Sequence, residues 1–88
     1  MGTFHSDKGP LHGLTVVVRT DGPLVYVGRC NTETPDGIHL WDVDRHEDGQ
    51  DGLSTEAWLK RVAMVGHWPR EKNVHLARAE YVSVEKLV

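Results

Sequence analysis

The chain has 88 residues, 39% of them hydrophobic and 26% charged, which fits one small globular domain with a single core and argues against a disordered chain. Its one cysteine, Cys30, excludes an intramolecular disulfide framework and a Cys-rich zinc site, and points to a reducing, cytoplasmic setting. No run approaches the roughly 20 apolar residues of a membrane span, Met1 to Leu11 lacks the apolar stretch of a signal peptide, and a net charge of −3 weighs against strong non-specific attraction to phosphates.

The charge is uneven. Residues 1–53 carry nine acids and four bases, whereas residues 54–88 carry four acids and six bases. A local basic surface in the second part is compatible with the overall acidity. Residues 1–12 read as a loose arm, since Met1 to Pro10 mixes Gly, Ser, Asp, Lys and Pro without a period. Residues 13–88 read as a single domain.

Leu14 to Arg19 is largely β-branched and predicts a strand with Leu14, Val16 and Val18 on one face and Thr15, Val17 and Arg19 on the other. Asp21-Gly22-Pro23 is a turn signal, and Leu24 to Cys30 predicts the returning strand. Gly28 inside it marks a bulge or sharp bend. Asn31 to Gly37 is rich in turn formers and reads as a loop. Ile38 to Val43 then alternates as a third strand, with Ile38 and Leu40 facing inward.

Asp44 to Gly52 is acidic and reads as a solvated loop. Its faint likeness to a calcium loop fails at the third and twelfth positions, so no metal ligand is assigned. Ser54 or Thr55 offers an N-cap, Glu56 suits the helix dipole, and Trp58, Leu59, Val62, Ala63 and Val65 recur at helical spacing until Gly66 and Pro69 stop it. One amphipathic helix over about residues 55–66 follows. Val74 to Arg78 and Tyr81 to Leu87 predict two last strands around a bend at Ala79-Glu80.

No catalytic residue or cofactor is assigned. Among the six histidines there is no H-x-x-x-H or H-E-x-x-H pair, and Cys30 has no evident base, so each reads as a packing or surface residue. Trp58 reads as the anchor of the helix on the sheet. Trp41 and Trp68 each suit either a stacking platform or an oligomer contact. Lys60, Arg61, Arg70 and Lys72 form the best candidate basic surface.

The order strand, Asp-Gly turn, bent strand with Gly28, loop, strand, helix, strand, bend, strand resembles the Sm-like family of small SH3-like barrels over Gly13 to Leu87. Gly22, Gly28, Ile38, Leu40 and Asp42 fall at the places of the first family motif, and Ala77 to Val84 echoes the second, with Ala79 in place of its glycine. Ser54 to Leu87 is similar to uncharacterised bacterial members with a helix inserted between the third and fourth strands. The resemblance implies a mainly β fold, a five-stranded barrel with one inserted helix. It also implies an oligomeric ring, of about six or seven copies, that binds RNA or other single-stranded nucleic acid. Arg78, Asp36 and Gly37 would then lie at the nucleic-acid contact. Val74, Leu76, Tyr81, Val82 and Val84, on the edges of the fourth and fifth strands, would form the contact between copies. The competing expectation is an SH3-like protein-interaction barrel, and a small metal-binding protein or enzyme has the least support.

Overall fold

A computed structural model describes residues 11–87. Met1 to Pro10, with His5 and most of the expected arm, lies outside the described residues. The remaining two arm positions belong to the fold: Leu11 packs against the core, and His12 Nδ1 bonds the Asn31 carbonyl.

Five antiparallel strands form one sheet: β1 (Thr15–Arg19), β2 (Leu24–Thr34), β3 (Gly37–Glu47), β4 (Glu71–Ala77) and β5 (Ser83–Lys86). Their order is β4-β3-β2-β1-β5, so β4 and β5 are the two edges. The sheet stays open, with no ladder between β4 and β5 among the described residues, where closure into a barrel was expected. A one-turn 3-10 helix, Arg78–Glu80, joins these edges. One α-helix among the described residues, α1 (Thr55–Val65), comes between β3 and β4.

Two apolar clusters lie on opposite faces of the sheet. Val16 and Val18 of β1, Cys30 of β2, Ile38, Leu40 and Val43 of β3, Leu76 and Tyr81 form the inner cluster. Val17, Val25 and Val27 meet Trp58, Leu59 and Val62 of α1 in the outer one. The outer face of β1 and β2 is buried because the helix covers it, which accounts for the unbroken valine run of β1. Trp58 is the expected anchor. Val65, expected on the same helical face, is instead exposed together with Met64, and Leu14 precedes β1 and is also exposed.

The helix start is doubly served. Ser54 Oγ accepts from the Ala57 N–H at 3.1 Å, and Asp48 Oδ1 accepts from the Thr55 N–H at 2.8 Å, while Gly66 ends the helix with φ 89°.

β2 and β3 are longer than their sequence suggests, because the expected loop at Asn31 to Gly37 is mostly paired strand and the expected acidic loop begins as strand. Two bulges bend this hairpin. Val27 faces Asp44 and Arg29 faces Trp41, so Asp42 and Val43 together oppose Gly28. A Cβ on Gly28 would press the Trp41 carbonyl oxygen and the Val43 side chain, both at 3.0 Å, which explains the glycine. Asp42 takes a positive φ of 52°. The extra residue shifts the phase of β3: Ile38, Leu40 and Val43 point inward, then Asp44 and His46 turn to the helix side and are buried there.

Candidate nucleic-acid interface

The expected contact residues divide between two places. At one rim of the sheet, the turn between β2 and β3 meets the 3-10 turn. The Arg78 N–H donates to the Asp36 carbonyl at 2.8 Å, and Gly37 pairs with Ala77. Asp36, Gly37 and Arg78 are therefore brought together. Gly37 must be glycine, because a Cβ there would overlap the Leu76 carbonyl oxygen. The Arg78 side chain lies against the chain itself: Nη1 donates to the Tyr81 carbonyl at 2.7 Å, and the guanidinium carbon sits 4.7 Å from the Tyr81 ring centre. The other guanidinium N–H groups have no partner among the described residues.

Beside this rim a shallow depression of about 470 Å3 is lined by Thr32, Thr34, Asp36, Gly37, His39 and His75, among others. His39 and His75 stack with ring centres 4.0 Å apart, and the Trp41 ring meets His39 edge-on. Asn31 Nδ2 donates to His39 Nδ1 at 2.8 Å, and His39 Nε2 donates to Asn73 Oδ1 at 2.9 Å. These rings occupy the outer face of β3 and β4.

The second place holds part of the expected basic surface. Arg61 and Arg70 line a cleft between α1, β3 and segment 66–70. Lys60, the next residue on the helix, lies instead beside Val17 and Glu85, and Lys72 is exposed on β4. The four bases thus do not form one patch. Arg70 Nε bonds Asp44 Oδ1 at 3.1 Å, while Asp44 also accepts from the Arg45 N–H at 2.8 Å and, through Oδ2, from the Trp68 N–H at 3.2 Å. The carboxylate that opens the calcium-like segment is therefore already engaged. His67 Nε2 donates to the Asp42 carbonyl at 2.6 Å, tying the same segment to the β3 bulge. Among the described residues, no three His, Cys, Asp or Glu side chains converge as a metal site.

The interface residues expected on the edges also divide. Leu76 and Tyr81 are buried in the inner core, Val74 and Val84 pack against it, and Val82 alone of the five is mainly exposed. The side chains of Leu76 and Tyr81 are thus committed inward. What the edges offer is backbone, with Val82 beside it.

Burial, reinforced by Glu33, pushes the Cys30 thiol above its usual value of 9.0. Burial, with Glu33 second and Arg78 acting in the opposite sense, also raises the Tyr81 phenol above 10.0. Both groups are held neutral in the folded state, so their contribution is complete below the unfolded values and is lost as pH rises through the folded ones. Stability should fall from about pH 9 upward. The Tyr81 hydroxyl has no hydrogen-bond partner among the described residues, although it is buried. Tyr81→Phe should consequently raise the unfolding free energy by about 1 kcal/mol and flatten the alkaline decline, in thermal melts from neutral pH to pH 11. A variant less stable than the parent would disprove the orphaned hydroxyl.

No protein-family model matches the chain, and no curated protein matches it. No helix among the described residues is long and apolar enough to cross a membrane.

Proposed function

We propose that the chain is an Sm-like binding module that associates with copies of itself through its β4 and β5 edges and binds single-stranded RNA, acting by recognition and not by catalysis. The observation that carries this reading is the meeting of Asp36, Gly37 and Arg78 on one rim. The strand order β4-β3-β2-β1-β5 supports it, since a 3-10 turn joins the two edges and, among the described residues, each edge has one unpaired side. Head-to-tail pairing of such edges closes a ring when the rotation permits, and repeats the rim around it. Repetition offsets the net negative charge, because several weak contacts on one strand act together.

The test is native mass together with anisotropy of a labelled oligouridylate over a salt series. A species of about six or seven copies, binding with steep salt dependence, is expected. Arg78→Ala should weaken binding about tenfold and lower the salt slope by about one. Absent or salt-independent binding would end the RNA reading.

The second reading is an SH3-like protein-interaction barrel, favoured by Met64 and Val65, whose side chains stand exposed at the end of α1. It predicts a monomer or dimer and no oligonucleotide binding.

A further inference from the structure

The cleft between α1, the second half of β3 and segment 66–70 has a volume of about 580 Å3 and takes no part in the rim contact. Three of its side chains carry binding capacity that the fold does not use. Trp68 is 73% exposed, so its indole offers an open aromatic face. The Arg61 guanidinium has no carboxylate within salt-bridge distance among the described residues, whereas Arg45 pairs with Glu71 and Arg70 with Asp44. His46 is 3% exposed, and its ring is stacked on Trp58 with centres 4.9 Å apart. Its Nε2 bonds the Leu53 carbonyl at 2.9 Å, and a carbonyl only accepts, so that nitrogen holds the proton. In the neutral ring Nδ1 is left with its lone pair, and it has no partner among the described residues.

These three groups ask for a planar ring, an anion and a hydrogen-bond donor on one ligand. A simple anion satisfies only Arg61, and an apolar ligand only Trp68. A nucleotide carries all three. Of the two acids that line the cleft, the buried Asp44 is neutralised by Arg70 and bonded by two backbone N–H groups, which leaves only Asp51, at an exposed position, to oppose a phosphate.

We infer that this cleft binds one nucleotide unit, with the base stacked on Trp68, the phosphate at Arg61 and a ribose hydroxyl or base amino group donating to His46 Nδ1. The inference rests on the nucleic-acid reading above and adds to the rim a pocket for a single unstacked base. Such a base is what a single strand presents and a duplex hides.

The test follows the indole N–H signals of Trp41, Trp58 and Trp68 in two-dimensional NMR spectra during titration with uridine and adenosine 5′-monophosphates. Oligouridylate affinity is measured in parallel for the parent, Trp68→Ala and Arg61→Gln. Both substitutions are at exposed positions, and unchanged melting temperatures would show that the fold persists. The Trp68 signal should move in a saturable way while that of Trp41 stays. Each variant should bind the oligonucleotide about tenfold more weakly, with the salt slope falling by about one for Arg61→Gln alone. If the mononucleotides move no indole signal and both variants bind the oligonucleotide as the parent does, the cleft is overturned and the rim reading stands. If mononucleotides bind and the oligonucleotide does not, the cleft stands and the RNA reading falls. If neither binds, both are overturned.

Discussion

Gly37→Ala is expected to lower stability by about 3 kcal/mol or more, at the upper end of what overpacking costs. The added methyl would overlap the Leu76 carbonyl oxygen and crowd the Ala77 Cα at 3.2 Å and the Leu76 carbonyl carbon at 3.3 Å. All three are backbone atoms of β4, so no rotamer change relieves the contact. Relief requires the edge strand to move away from β3, which also separates Asp36 from Arg78. A domain of this length holds roughly 4–13 kcal/mol, so the loss is a sizeable share of the total and should lower the melting temperature by about 12 °C or more. Gly22→Ala is the control, since a Cβ there meets nothing within 4 Å. Equal melting temperatures for the two variants would mean that β4 does not press on Gly37.

Asp44→Ala is the other large effect, at about 2–4 kcal/mol. The carboxylate is buried and collects the Arg45 N–H, the Trp68 N–H and Arg70 Nε. Truncation leaves those donors without their acceptor and removes the tie between β3 and segment 66–70. Arg70 is largely exposed and can turn to water, which keeps the cost below that of breaking a fully buried pair. Asp44→Asn should lie between, because an amide keeps one acceptor oxygen and loses the charge. Urea denaturation measures the stability, and amide hydrogen exchange at Trp68 reports the tie itself. An Asp44→Ala protein with parental stability and a still-protected Trp68 amide would refute the assignment.

Much of the framework was legible in the sequence. The β-branched run of β1, the Asp21-Gly22 turn, the periodic apolar face of α1 with its Ser54 cap, and the bend at Gly28 are all local signals, each decided by residues a few positions apart. Asp44 and His46 were not legible. They sit in a polar run that reads as loop, and what buries them comes from elsewhere: Trp58 from the helix and Arg70 from 26 residues beyond Asp44. The bulge at Asp42–Val43 was equally hidden, because simple alternation along β3 carries Asp42 inward and Val43 outward. Gly28 was its one visible trace, and the glycine named the strand facing the bulge, not the strand that bulges. Asp36, Gly37 and Arg78, grouped from the family resemblance, do meet at one rim, whereas the cleft was split in the sequence between a basic cluster and Trp68. Leu76 shows the limit of reading an edge from apolar content, since an edge strand still has an inward face, and Tyr81 lies ahead of β5 and also turns into the core.

The placement of the two apolar clusters separates two jobs within a very short chain. The inner cluster joins β1, β2, β3, Leu76 and Tyr81 without help from the helix, whereas α1 rests on the back of β1 and β2. The helix is therefore a tenant of the sheet and not one of its walls. Changes on its exposed side alter the surface presented there while leaving the strand framework in place. One sheet can then carry different side-chain chemistry on its back without altering the geometry of its rim.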